Sequence, residues 1–118
     1  MIKLKRVYER PSRADGRRVH VERLWPRGLK RADADIAEWL RDIAPSDALR
    51  RWYGHDPARW PEFKRRYRAE LRTSERRALL ETLADQARRG TVTLIFAARD
   101  EERNSARVVR EELAKMGL

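Results

Sequence analysis

Residues 91–98, Thr-Val-Thr-Leu-Ile-Phe-Ala-Ala, carry no charge at all in a chain in which 41% of residues are charged. The run shows no alternation of apolar and polar positions, so it reads as a strand covered on both faces, the pattern of a central strand in a parallel sheet. A strand of that kind needs partners on its edges and a layer on each side. At Arg99 the character changes within one residue, to Arg-Asp-Glu-Glu-Arg-Asn at 99–104, and a helical pattern follows. The join between a buried strand and the next helix is where an open α/β sheet places its ligand.

The rest of the chain supplies the partners. Ile2 to Tyr8 is a first strand candidate, with Ile2 and Leu4 in one phase and Lys3 and Lys5 in the other. Pro11, Ser12, Asp15 and Gly16 then mark a loop by turn chemistry. It is too short for a helical crossover and suits an arch or a wide hairpin. Val19 to Leu24 is the second strand; period-2 geometry puts Arg23 on the face of Val19 and Val21, at the carboxyl end. Trp25-Pro26-Arg27-Gly28 fits a type I turn, which would project Arg27 close to Arg23. Two guanidinium groups so held form a fork for phosphate or carboxylate. The competing reading of Arg23 is a structural ion pair, or a side chain that snorkels out at the sheet edge.

Four helices are expected before the central strand. Asp33 or Asp35 caps one in which Ile36, Trp39, Leu40 and Ile43 form a buried stripe, and Pro45 ends it. Ser46 caps a shorter one with Leu49, Trp52 and Tyr53, stopped by Gly54. Asp56 followed by Pro57 is a sharp start signal for a helix over 57–72 that buries Trp60, Phe63, Tyr67 and Leu71. Lys64, Arg65, Arg68 and Arg72 make a basic strip beside that stripe. Thr73 or Ser74 caps the fourth, with Leu79, Leu80, Leu83, Ala84 and Ala87 inside it and Gly90 as its stop. After the central strand, Asp100 is the expected cap of a last helix carrying Ala106, Val109, Leu113 and Met116 inward.

The expected fold is therefore α/β: a small, mostly parallel three-stranded sheet packed by about five helices, as a single domain over residues 1–118. Strands two and three, being parallel, would bring Arg23, Arg27, Arg99 and Asp100 to one rim.

Composition bounds the chemistry. The chain has no cysteine, which excludes disulfides, thiolate catalysis and Cys-ligated zinc, and no metal site is anticipated. No apolar run resembles a signal peptide or a membrane span, so a cytoplasmic protein of bacterial type, without membrane contact, is the expectation. The net charge of +10 exceeds what solubility requires and implies an anionic partner, although high-GC codon bias accounts for the choice of arginine equally well.

Val-Glu-Arg-Leu-Trp-Pro-Arg-Gly at 21–28, Ala-Pro-Ser at 44–46, Trp-Tyr-Gly-His-Asp-Pro at 52–57 and the whole of 90–104 carry a family likeness. The chain resembles the short, YeaO-like branch of the domain of unknown function 488 family. The resemblance covers nearly the whole chain and implies no established activity. It does imply departures: the branch commonly has Asp where Glu22 stands, and His near Arg103 and Ser105, while longer relatives carry a Cys-His-Arg cluster after the final strand that is missing here. On that comparison the chain has kept the anion-binding part of the rim and lost or altered the rest.

Three functions compete. In the first, a small-molecule anion, phosphate or nucleotide-like, is bound or transformed at the carboxyl ends of the strands. Arg23 and Arg27 hold it, Arg99 adds charge, Asn104 donates a hydrogen bond, and Asp100 or Glu22 orients a guanidinium or acts as base. His55 is the candidate proton carrier, against the plainer reading of a junction residue beside the Asp56 cap. No cofactor is implied. In the second, the strip of Lys64, Arg65, Arg68 and Arg72 tracks a nucleic-acid backbone, though a solvated face is the commoner reading of such a strip. The third is a structural or interaction role; oligomeric state is not legible.

Overall fold

The computed structural model describes all residues, 1–118. Four strands form one wholly parallel sheet: β1 (Ile2–Arg6), β2 (Arg17–His20), β3 (Glu38–Trp39) and β4 (Val92–Phe96), in the order β1-β4-β2-β3. Five α-helices accompany them: α1 (Arg31–Ala34), α2 (Asp47–Tyr53), α3 (Trp60–Leu71), α4 (Ser74–Arg89) and α5 (Ser105–Lys115).

β4 is central and all five of its residues are buried, as its unbroken apolar run requires. Its two faces meet different layers. Val92, Leu94 and Phe96 join Val19 and Val21 in the main core against Phe63, Leu80, Leu83, Val109 and Leu113 of α3, α4 and α5. Ile95 turns the other way into a small cluster with Val7 and Ala34, roofed by Trp25, Leu29 and Ile36. One face of the sheet is thus covered by helices and the other by connecting segments.

Three expectations are corrected. The segment between β1 and β2 is neither an arch nor a hairpin, because both strands run parallel on either side of β4. It is a crossover without an α-helix, pinned to β4 by Arg17 N–H on Thr91 O (2.9 Å) and the Thr93 hydroxyl on Asp15 O (2.6 Å). Within it, a 3-10 turn (Arg13–Asp15) is closed by a Ser12–Asp15 capping box, and the Asp15 carboxylate pairs with Lys5 (3.1 Å) and Arg18 (2.7 Å). Burial alone would raise the Asp15 carboxyl, but the Ser12 amide and these two cations more than reverse that and hold it below its ordinary value.

The stripe of Ile36, Trp39, Leu40 and Ile43 is not a helix. Asp35 takes a left-handed conformation (φ 51°) and ends the four-residue α1; Glu38 and Trp39 then pair with Val19 and His20 as β3, which makes four strands rather than three. Finally, α5 begins at Ser105 with Asn104 as its cap, whose side-chain oxygen accepts the Arg107 amide at 3.1 Å. Asp100 instead closes the turn before it. Ser46 accepts the Leu49 amide and Gly54 ends α2 at φ 52°, as expected, but Asp56 accepts the Ala58 amide to cap a 3-10 turn (Pro57–Arg59) and α3 itself starts at Trp60, while Thr73 precedes α4 without a side-chain cap.

Candidate functional site

The carboxyl ends of β2 and β4 open into a cleft of about 680 Å³. Glu22, Arg23 and Leu24 follow β2, while Ala97, Ala98, Arg99 and Asp100 follow β4. Asn104 and Ser105 come from the start of α5, and Arg50, Arg51, Tyr53, Gly54 and His55 from the end of α2. Pro45 and Phe63 complete the wall. Adjacent parallel strands deliver their following loops to the same edge, so this placement is a consequence of topology.

Six of the side chains singled out from sequence, Glu22, Arg23, His55, Arg99, Asp100 and Asn104, line this one cleft. Arg27 does not. Gly28 (φ 75°) occupies the third position of a turn over Pro26–Leu29, one residue later than the type I turn expected, and Arg27 lies exposed beyond Trp25. The indole N–H of Trp25 donates to Leu29 O at 2.6 Å and fixes the turn on the far side of the strand end. The fork of Arg23 with Arg27 therefore does not form; the guanidinium groups that share the cleft with Arg23 come from α2 and from the β4 loop.

The charges are unequal. Arg23 lies 3.6 Å from Asp47 and donates to Pro45 O at 3.4 Å, and Arg50 reaches the same Asp47 oxygen at 3.5 Å. One half-exposed carboxylate thus serves two guanidinium groups, and the buried Nε of Arg50 has no acceptor. Arg51 and Arg99, both exposed, have no carboxylate partner. Among the acids, Glu22 accepts the Ala97 amide on Oε1 at 2.7 Å. The Asp100 carboxylate is occupied by the amides of Glu102 (2.9 Å) and Arg103 (3.1 Å) and by the Arg103 guanidinium (3.1 Å). The Glu102 amide foremost, with Arg103, holds Asp100 below its ordinary value. Asn104 is buried; its Nδ2 donates to Asp100 O at 2.9 Å, so its amide spans the turn and the helix start.

Tyr53 donates its hydroxyl to Arg103 O at 2.9 Å and stacks on Phe63 at 4.3 Å between ring centroids. Burial pushes its phenol up, with Asp100 adding to the effect, so it is a neutral wall. His55 is exposed, with a left-handed backbone (φ 57°) that continues the turn begun at Gly54, and its ring lies 5.9 Å from that of Tyr53. The cleft therefore combines cationic side chains with the apolar surfaces of Pro45, Tyr53, Phe63 and Ala97 and an exposed Leu24. Arg50 and Arg51 are the site residues that the sequence reading omits. Their signal is the position next to Gly54, in the last turn of a helix whose Leu49 and Tyr53 point inward.

The strip on α3 has a different fate. Lys64 and Arg68 pair with Glu111 (3.2 and 2.6 Å), Arg68 and Arg72 approach Glu112 (3.7 and 3.6 Å), and Arg65 pairs with Glu62 (2.7 Å). Lys64, Arg68 and Arg72 thus form the seam between α3 and α5, where Arg68 Nε is buried without a hydrogen-bond acceptor, and Arg65 pairs within its own helix; each of the four has a carboxylate partner.

Residues 1–116 match the family model described as the inactive DUF488-N3 subclade. The uncharacterised protein Rv3073c of Mycobacterium tuberculosis is 40% identical over 112 residues, covering 95% of this chain and 92% of that one, and the uncharacterised protein Mb3100c of Mycobacterium bovis matches equally. The uncharacterised protein YeaO of Escherichia coli is 36% identical over 115 residues, 98% of each chain. No solved structure matches. The chain is an α/β protein of the DUF488 family. Within that family it is YeaO-like. No helix is long and apolar enough to cross a membrane.

Proposed function

We propose that the protein binds a small anionic molecule, phosphate-bearing or nucleotide-like, in the cleft at the carboxyl ends of β2 and β4. The observation that carries this reading is the surplus of guanidinium groups there: Arg23, Arg50, Arg51 and Arg99 face one cleft with Asp47 as the sole carboxylate paired to any of them. Each charge-assisted contact from such a group to a phosphate oxygen contributes about 1.5–3 kcal/mol. The acceptor that Arg50 Nε lacks is of the kind an anion supplies.

Binding without turnover is the better supported form. The family description names an inactive subclade. Asp100 commits both carboxylate oxygens, to two amides and the Arg103 guanidinium, and Glu22 commits one to the Ala97 amide, which suits them to holding the loops. That leaves His55 as the cleft's exposed proton carrier. The nucleic-acid reading on α3 has no comparable support, since each of its cations faces a carboxylate. A thermal-shift screen of phosphate, nucleotides and sugar phosphates tests the proposal. Wild type is stabilised by at least one of them and Arg23→Ala is not; absence of stabilisation by every anion refutes it.

A further inference from the structure

Away from the cleft, on the side of the sheet covered by connecting segments, cations and aromatic rings alternate in a continuous strip. Arg6 lies over the Tyr8 ring at 5.1 Å, and the Tyr8 hydroxyl donates to Arg27 O at 3.2 Å. Beyond the turn that holds Arg27, Trp25 and Trp39 meet edge to face at 5.5 Å. Arg31 lies over both rings (5.1 and 5.2 Å), and Arg41 over Trp39 at 5.3 Å.

These cations differ from their counterparts elsewhere. Trp52 and Trp60 also carry cations on their rings, but those are neutralised: Arg59 by Asp56, Arg66 by Glu62 and Lys64 by Glu111. No carboxylate lies within ion-pair distance of Arg6, Arg27, Arg31 or Arg41. The nearby acids are otherwise placed: Glu9 accepts the Arg6 amide at 2.8 Å, and Asp33, Asp35 and Asp42 form no ion pair. Arg6 spends its N–H edge on Ala97 O (3.0 Å) and Ala98 O (3.1 Å), whereas Arg31 and Arg41, held on their rings through the guanidinium face, donate no side-chain hydrogen bond and keep their edges free, as does the exposed Arg27.

From this we infer a second binding surface, for single-stranded nucleic acid, running from Tyr8 over the Arg27 turn to Trp39 and Arg41. The free guanidinium edges meet phosphates, and Tyr8, half exposed, together with the stacked arginine planes, offers flat surfaces to unpaired bases. Duplex is the poorer fit. The one helix on this side, α1, has four residues and presents nothing that fills a major groove. The inference does not depend on the cleft or on its ligand.

Fluorescence anisotropy of the full chain with a labelled oligothymidine of about 15 nucleotides, titrated with salt, tests it. Wild type binds at low salt, and Arg27→Ala/Arg41→Ala binds at least tenfold more weakly with the salt slope reduced by about 0.7 per residue removed. Tyr8→Ala weakens binding several-fold, and a duplex of equal length binds more weakly than the single strand. Arg89→Ala/Arg110→Ala removes equal charge from exposed helix positions and leaves binding unchanged. Four results overturn the inference: no binding at 50 mM salt (about the low end where such contacts act), equal loss in the Arg89/Arg110 control, duplex binding as tight as single strand, or capture by phosphatidylserine vesicles with no oligonucleotide binding. Arg27 and Arg41 are exposed, and matching melting temperatures show that the variants fold.

Discussion

Glu22 accepts the Ala97 amide on its side chain at 2.7 Å and the Trp39 indole N–H on its own carbonyl, also at 2.7 Å. A single residue therefore fastens the loop after β2 to the loop after β4 and to the neighbouring strand β3. The cleft's two arginine-bearing loops, with Arg23 on one and Arg99 on the other, keep their spacing through this contact.

Removing the carboxylate should loosen that spacing. Glu22→Ala is expected to cost about 1–3 kcal/mol in urea unfolding, the range for a buried or half-buried donor left without its acceptor. Glu22→Gln keeps an acceptor oxygen and should cost less than half as much. A larger loss in the Gln variant would show that the negative charge, not the hydrogen bond, is what the loop requires.

Asp15, buried with Lys5 and Arg18, contributes to the acid sensitivity of the fold. Its carboxyl is held below its ordinary value in the folded protein, so its stabilisation is complete above about pH 4, the unfolded value, and is lost as pH falls through the folded value. Asp15→Asn strands Lys5 and Arg18 beside a neutral amide and should destabilise by about 3–5 kcal/mol at pH 7. Melting temperatures from pH 7 downward should then fall less steeply below pH 4 (about the ordinary carboxylate value) in the variant than in wild type.

Two glycines should respond differently to the same substitution. Gly16 combines φ 62° with a Cβ position only 2.2 Å from Thr91 O, at the point where the crossover meets β4. Gly16→Ala must move backbone and is expected to cost more than about 3 kcal/mol. Gly28, at φ 75°, has open space around it, so Gly28→Ala carries only the left-handed penalty of about 1–2 kcal/mol. Chemical denaturation of the two variants side by side checks the difference.

The central strand and its edge were legible because burial on both faces leaves an unbroken apolar run, and a parallel sheet sends successive loops to one rim. Arg23, Arg99 and Asp100 followed from that logic; Glu22, His55 and Asn104 were picked out as polar or titratable groups, and all six line the cleft. The stripe from Ile36 to Ile43 misled because spacings of 3, 4 and 7 do not by themselves demand a helix. Ile36 roofs the minor cluster, Trp39 sits in β3 and Ile43 belongs to the main core, so tertiary position rather than local periodicity unites them. Arg27 misled by one residue of turn register, since Gly28 serves at the third position and not the fourth. The pairing of Lys64, Arg68 and Arg72 with α5 was invisible because the partners, Glu111 and Glu112, are some forty residues away in sequence.

Isothermal titration with inorganic phosphate and then AMP tests the cleft most directly. One saturable site is expected, weakened at least tenfold by Arg23→Ala or Arg99→Ala and unchanged by Arg89→Ala. Heat that never saturates, or an equal loss in all three variants, would contradict an anion site at the ends of β2 and β4.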